Sequence, residues 1–296
     1  MSYRMELQEL RKLTSVTPFL GEFVGAEMLM VRFRTDPEVV ARVLPRPLKA
    51  PAVPLGTAFV ARYPETNFGL RYNEGGLLLD ATYKGERGSY CLAMPVDDDT
   101  AMIAGRETYG YPKKMADRIT LERSGDHIVG SVIRKEIEIL RIEGELTRAW
   151  APTGTTQGRD GEDLEGKPCL VGTSWLFKHA PAADNRIFET APRLIREPVL
   201  FRARPGQLSG DLDLKLVSSI TDPLGDIPVR EVVEAQYGLF DNTMLPGKVV
   251  RKVRNRYNFP RRSLFKSDVY ALVLESNLQG RSTLDRMRLR RQLRGY

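Results

Sequence analysis

Histidine, cysteine and tryptophan each occur only twice in the 296 residues. The two histidines, His127 and His179, are too few for a His-rich metal centre and give little support to a Ser-His-Asp nucleophile. His179, inside Trp175-Leu176-Phe177-Lys178-His179, reads as a packed or interface side chain rather than a catalyst. Cys91 and Cys169 have no metal-type spacing and could not staple a chain of this length, so reduced thiols are the default. No uninterrupted apolar run approaches the roughly 18 residues of a membrane span. Met1-Ser2-Tyr3-Arg4-Met5-Glu6 offers no apolar core of a signal peptide. A cytoplasmic protein without membrane contact, metal or cofactor is the expectation. No repeat or low-complexity tract is present.

With 42% hydrophobic residues, the chain can bury a substantial core. Its net charge of +7 is unevenly placed. From Arg251 onward there are 13 Lys+Arg against 3 Asp+Glu, a balance of +10, so residues 1–250 carry 7 − 10 = −3. This divides the chain into a domain over 1–250 and a basic extension over 251–296. In the extension, Leu284, Met287 and Leu289 among Arg286, Arg288, Arg290, Arg291 and Arg294 suggest a basic helix. No aromatic ladder or nucleic-acid motif accompanies it, so packing in a homo-oligomer is favoured over nucleic acid.

Strand signals dominate. Leu212, Leu214 and Leu216 alternate with Asp211, Asp213 and Lys215, the pattern of a half-buried strand. In Glu136-Ile137-Glu138-Ile139-Leu140-Arg141-Ile142-Glu143 the apolar parity switches at Ile139-Leu140, which predicts a bulge. Segments near 25–34, 57–63, 77–84, 89–96, 129–147 and 186–194 also read as strands, separated by Gly- and Asp-containing turns. Asp36 and Pro37 suit the N-cap and first position of a helix that Pro45 ends. Pro152 to Pro168 reads as a loop. The fold class predicted is mainly β (α+β), a largely antiparallel barrel with a few helices.

The chemistry is concentrated in Gly105-Arg106-Glu107-Thr108-Tyr109-Gly110-Tyr111-Pro112-Lys113-Lys114. Imine formation needs an uncharged amine, and with an ordinary pKa of about 10.4 only about one lysine in a thousand supplies one at pH 7. Burial in an apolar pocket or a neighbouring positive charge lowers that value, and a Lys-Lys pair beside aromatics could use either. Consecutive side chains of an extended segment point to opposite sides, so desolvation of Lys113 is the larger expected effect. Lys114 would then meet a carboxylate elsewhere. A solvated surface pair is the alternative reading of the dipeptide alone.

The compound motif, a Gly-Arg-Glu, a short spacer and aromatic-Pro-Lys-Lys, resembles the acetoacetate decarboxylase family. Phe33-Arg34-Thr35-Asp36, Val43-Leu44-Pro45-Arg46-Pro47-Leu48, Tyr72-Asn73-Glu74-Gly75, Ser218-Ser219-Ile220-Thr221-Asp222-Pro223-Leu224 and Ile227-Pro228-Val229-Arg230-Glu231-Val232 extend the resemblance over roughly residues 20–250. It implies the acetoacetate decarboxylase-like barrel, with Lys113 as the Schiff-base nucleophile and Lys114 as the residue credited with activating it by charge, a device known of that enzyme. It also makes Glu74 the acid or base that moves protons on the substrate. Without the resemblance, Glu74 would read as a solvated turn residue.

Two family pocket groups are missing. Counting from the matched motifs, Ala26 stands where an arginine is credited with orienting the substrate carboxylate, and Phe59 stands where the family has a second glutamate. Loss of that arginine removes a charge-assisted contact and puts acetoacetate in doubt. Arg106, Tyr109 and Tyr237 complete the candidate substrate-binding set. The expected activity is that of a Schiff-base-forming lyase, of the aldolase or dehydratase type, acting on a small-molecule keto acid or enone. The alternatives are a β-keto acid decarboxylase whose arginine is replaced by Arg32 or Arg71, and a non-catalytic barrel binding an apolar carbonyl compound or a polyanion.

Overall fold

Strand β1 (Gly21–Arg34) is apolar on both faces, and that double burial organises the molecule. Leu29, Val31 and Phe33 point to one side and pack with Val60, Leu77, Leu79, Ile128, Val132 and Ile142. Ala26 and Met28 point to the other and join Phe23, Phe59, Tyr63, Tyr72, Met94 and Tyr111 in a second cluster. A strand covered on both faces needs two layers around it, and loses the simple apolar–polar alternation that would mark it. The computed structural model describes residues 4–15, 20–153, 158–183, 188–253 and 259–272.

In chain order the remaining strands among these residues are β2 (Leu55–Tyr63), β3 (Glu65–Thr66), β4 (Tyr72–Tyr83), β5 (Glu86–Val96), β6 (Lys113–Met115), β7 (Arg118–Ser124), β8 (His127–Arg134) and β9 (Ile137–Ala149). They are followed by β10 (Arg159–Glu162), β11 (Pro168–Lys178), β12 (Arg193–Ala203), β13 (Leu208–Leu216), β14 (Glu231–Met244) and β15 (Lys248–Lys252). Strands β12-β11-β5-β4-β2-β1-β14 form a ring closed by pairing of β14 with β12, at Val199 opposite Met244. This closed barrel of seven strands is antiparallel except where β5 runs beside β11. Closure leaves the ring without free edges. From β14 the sheet continues through β13, β9, β8 and β7, which fold over the outer face of β2 and β4 and enclose the first cluster.

The expected mainly β barrel is the observed fold. The parity switch at Ile139-Leu140 coincides with a register slip, since Val132 pairs with Leu140 while Ile133 pairs with Glu138. Other expectations need correction. Residues 129–147 are not one strand but two, β8 and β9, with Lys135 and Glu136 at φ 50 and 64 in the tight turn between them. Of the strand placed at 186–194, residues 186 and 187 lie outside the described residues, and β12 covers Arg193–Ala203, with Arg196 and Glu197 interrupting its apolar pattern. The loop from Pro152 to Pro168 contains β10, paired with β11.

Helix α1 spans Leu7–Ser15 and α2 spans Pro37–Val43, while α3 covers Asp99–Ala104. Asp36 precedes α2 as expected, but its side chain makes no cap and instead pairs with Arg230 at 2.7 Å. No helix of the described residues is long and apolar enough to cross a membrane. The basic extension begins inside β15 (Lys248–Lys252) and continues at 259–272 in short helical turns, whereas Leu284, Met287, Leu289 and the surrounding arginines lie outside the described residues.

Candidate active site

The segment carrying the two lysines is built by its glycines. Asp98 caps α3 by accepting a hydrogen bond from the Ala101 amide (2.7 Å), and the helix loosens into a π turn over Gly105–Tyr109. Gly110, at φ 93, ends that turn and donates to Gly105 O at 3.0 Å. Its backbone passes so close to Lys178 that a Cβ would come within 2.7 Å of Lys178 Cα. At Gly105 a Cβ would meet the Cδ and Cε of Lys113 at 2.8 Å, so the glycine of the motif makes room for the stem of the lysine eight residues on. The chain then pairs in parallel with β5, Lys113 opposite Met94 and Lys114 opposite Pro95.

This short strand sends its two lysines in opposite directions. Lys113 is buried and its Nζ donates to Glu74 Oε2 at 2.7 Å. The ammonium also lies over the Tyr72 ring, 5.1 Å from its centroid, with the Tyr111 ring at 6.0 Å. The Tyr63 hydroxyl reaches the other Glu74 oxygen at 3.5 Å. Burial, reinforced by the Glu74 charge, holds the Tyr63 and Tyr72 phenols well above their ordinary value. They therefore remain donors at any physiological pH.

Lys114 Nζ instead donates to Thr221 O (2.6 Å) and Asp222 Oδ1 (3.0 Å), and pairs with Asp268 Oδ1 (3.0 Å). Arg134 links the same two aspartates, reaching Asp222 Oδ2 at 2.6 Å and bonding Asp268 as well. Lys266, from the same C-terminal stretch as Asp268, donates to Gly110 O at 2.8 Å and Phe177 O at 3.4 Å. Burial pushes its ammonium down to about 7, with Arg106 adding to the effect. Residues 259–272 thus brace the lysine-bearing loop from behind.

A cavity of about 200 Å³ opens inside the barrel beside Lys113 and Glu74. Met28, Met30, Phe59, Tyr63, Tyr72, Leu78, Met94, Tyr111 and Phe240 line it, together with Arg32, Thr57 and Ser89 farther along. Phe59 belongs to this wall, and Ala26 sits fully buried in the cluster around it. The other candidates do not line it. Arg106 donates one guanidinium nitrogen to Lys113 O (2.7 Å) and Lys266 O (3.0 Å), so it holds backbone rather than substrate. Tyr109 packs edge-on against Tyr111 at 6.2 Å, its phenol pushed up to about 12 by burial. Tyr237 donates to Glu27 Oε1 at 2.7 Å, because its strand parity turns it away from the cavity. Arg71 is exposed.

One group escaped sequence reading. Glu197 on β12 is fully buried, and neither carboxylate oxygen has a hydrogen bond of good geometry. The Tyr111 hydroxyl is its neighbour, yet the acceptable hydrogen bond of that hydroxyl goes to Ser174 Oγ at 3.4 Å. Burial raises the Glu197 carboxyl to about 8, and the Glu74 charge adds to the rise, so a neutral acid stands behind Tyr111 at pH 7. Glu197 directly follows Arg196 in a strand that also carries Arg193 and Arg202, so nothing local marked it as buried. His179 is packed between Phe188 (4.8 Å) and Phe259 (5.4 Å), and burial pushes it down to about 3. Both cysteines are buried free thiols.

A sequence model of the acetoacetate decarboxylase family matches residues 7–253. A curated acetoacetate decarboxylase from Burkholderia multivorans is 31% identical over 232 residues, 77% of this chain and 87% of that protein. The chain belongs to the acetoacetate decarboxylase family. The acetoacetate decarboxylase of Legionella pneumophila, solved by crystallography, has the same fold, with a TM-score of 0.67 at 21% identity over 86% of this chain and 100% of that one. The enduracididine biosynthesis enzyme MppR, solved with the condensation product of pyruvate and imidazole 4-carboxaldehyde, gives 0.61 at 19% identity over 79% of this chain and 90% of that one. As a member of this family the chain is a lyase in general class.

Proposed function

We propose that this protein is a Schiff-base lyase of the aldolase or dehydratase type, acting on an α-keto acid or enone larger than acetoacetate through an imine on Lys113. The observation that carries the reading is the 2.7 Å contact between Lys113 Nζ and Glu74 Oε2 at the wall of an apolar cavity. Transfer of one proton from the ammonium to Glu74 leaves a neutral amine facing a neutral acid. The amine lone pair attacks the carbonyl carbon as the C=O π pair moves to oxygen, and one N–H proton of the adduct passes to that oxygen to give a neutral carbinolamine. Glu74 returns its proton to the departing hydroxyl, water leaves, and the iminium forms.

The iminium then withdraws the electron pair of a bond at the adjacent carbon. With Glu74 again a carboxylate beside that carbon, removal of an α proton gives an enamine, which adds to an aldehyde or expels a β-hydroxyl. Tyr63 and Tyr72 supply hydrogen bonds to oxygen as its charge develops. Burial around Phe59 and Met94 keeps bulk water from the intermediate.

Substrate size rests on Ala26 and Phe59. Both are apolar where the family resemblance implies an arginine and a glutamate, so a small β-keto carboxylate has no cation at that place to hold it. The runner-up, an acetoacetate-type decarboxylase, is favoured by the name of the Burkholderia relative. A homo-oligomer held together by the basic C-terminal extension is a further part of the proposal.

Incubation with pyruvate, acetoacetate or an aromatic enone followed by borohydride should add one ligand mass, mapped to Lys113. Labelling at Lys114, or no labelling with any carbonyl compound, would remove the lyase reading and leave a binding barrel. Faster turnover of acetoacetate than of larger carbonyl compounds would promote the decarboxylase.

A further inference from the structure

Behind the strand pair that carries Lys113 lies a second cavity, of about 220 Å³. Its walls come from α2, β5, β6, the 221–227 loop and residues 262 and 265, and Met94 of β5 borders both cavities. Leu92, Pro95, Pro112, Leu224, Ile227 and Phe265 make most of its surface apolar. No step of the proposed lyase reaction uses this space.

The polar groups of this cavity divide into a closed floor and an open rim. On the floor, Lys114 Nζ directs its three protons to Thr221 O, Asp222 Oδ1 and Asp268 Oδ1. Asp222 accepts from Lys114, Arg134 and Thr221. The floor therefore has no charge left for a ligand. At the rim, Arg42 is exposed, and its guanidinium has neither a hydrogen bond nor an ion pair among the described residues. Arg262 donates its Nε–H to Arg42 O at 2.8 Å, which brings a second guanidinium to the same mouth. Asp226, the one lining carboxylate outside the floor network, accepts from Ser218 Oγ at 3.0 Å. Lys114 and Arg134 are balanced by Asp222 and Asp268, so two arginines against one aspartate leave the rim at +1.

An apolar hollow under a rim of net charge +1, with an open guanidinium on it, fits an amphipathic monoanion. We infer that this cavity is a second ligand site, for a small carboxylic acid with an aromatic or branched apolar body. The body lies among Pro112, Leu224 and Phe265, and the carboxylate meets Arg42. Pro112 belongs to the lysine loop and Phe265 to the residues that brace it, so one occupant touches both. The site is independent of the lyase reading.

The test uses 3-phenylpropionate and its amide, 3-phenylpropanamide, neither of which can form an imine. Calorimetry with the full-length protein should show the acid bound about fivefold more tightly than the amide, the upper end of what an ion pair to an exposed arginine contributes, and about 1 M salt should erase the difference. In Arg42→Gln the two probes should bind alike at low salt. Val43→Trp, which fills the hollow from α2, should abolish binding of both. A probe seated only in the cavity beside Lys113 would bind the wild-type protein, Arg42→Gln and Val43→Trp equally. That result would overturn the second site, as would equal affinities for acid and amide in the wild-type protein, or no binding of the acid at millimolar concentration. If Val43→Trp fails to fold, the two probes in wild type and Arg42→Gln decide. Borohydride trapping at Lys113 should stay at the wild-type level in Arg42→Gln, and its absence from the wild-type protein would count against the lyase alone.

Discussion

Two lysines adjacent in sequence live in different surroundings. Lys113 faces one carboxylate and a set of aromatic rings inside the barrel, whereas Lys114 faces two aspartates, a backbone carbonyl and Arg134 on the opposite side. The separation follows from the alternation of a three-residue strand, Lys113–Met115. One side has a single carboxylate partner at 2.7 Å and an apolar cavity beside it, the arrangement that the proposed proton exchange needs. The other is a closed ion-pair network, with the Lys114 charge compensated locally by Asp222 and Asp268. A field compensated in that way, on the far side of the backbone, reaches the proposed nucleophile Lys113 weakly.

The largest effects belong to the Lys113 side. Lys113→Ala should lose borohydride trapping and turnover entirely while its circular dichroism stays that of the folded barrel. Glu74→Gln keeps the shape of its partner but cannot take a proton, and kcat should fall by about 10²–10⁴-fold. Residual activity above a tenth of the wild-type rate would mean that another group, Glu197 through Tyr111 being nearest in kind, carries the proton.

On the other side the effect should be on stability. Lys114→Met leaves Asp222 with Arg134, and Asp268 with Arg134 and the more distant Lys135 (3.8 Å), and breaking such a buried network costs about 3–5 kcal/mol, measured by denaturant unfolding. The pH dependence of trapping should keep its midpoint in this variant. A clear upward move of that midpoint would break the comparison, because it would show that the Lys114 charge acts on the nucleophile through the backbone.

How far the sequence reveals these two sides depends on the range of the contacts. Gly105, Gly110 and Pro112-Lys113-Lys114 are close in the chain and form a compound motif, so the lysine loop was legible. Glu74 was found only through the resemblance, since Tyr72-Asn73-Glu74-Gly75 looks like a turn and is in fact the start of a buried strand. Asp222, Arg134, Asp268 and Lys266 meet the loop from 20 to more than 150 residues away, and nothing local marks their pairing. That Tyr237 turns toward Glu27 rather than the cavity was hidden for a related reason, because a strand's parity tells which residues share a face but not which face meets the cavity. Of the closed ring, β1, β2, β4, β5 and β12 were marked in the sequence with shifted limits, whereas β11 (Pro168–Lys178) and β14 (Glu231–Met244) were not marked as strands.

The smallest predicted effects oppose one another in pH. Glu197, raised to about 8 from 4.5 by burial, keeps its proton when folded and loses it when unfolded as pH rises through that interval. Stability should therefore fall with pH between about 4.5 and 8, and Glu197→Gln should flatten that slope. Lys266 works in the other direction. Its folded value is about 7 against an ordinary 10.5, so between these limits the unfolded chain binds a proton that the folded one does not. Stability should rise with pH from about 7 to 10.5, the cost of burying the ammonium being fully present below 7 and gone above 10.5. Lys266→Met removes that cost but also leaves Gly110 O and Phe177 O without their donor, a loss of about 1–3 kcal/mol. These terms offset at neutral pH, so the slope rather than the level is the diagnostic. His179 does not confuse it, because burial moves its titration from 6.5 down to about 3, below the interval. Unfolding midpoints of wild type and Lys266→Met measured from pH 7 to 10 should diverge, with wild type gaining on the variant as pH rises. Parallel curves would mean that the amine is not buried as charge in the folded protein, and that residues 259–272 do not press Lys266 against the lysine loop in solution.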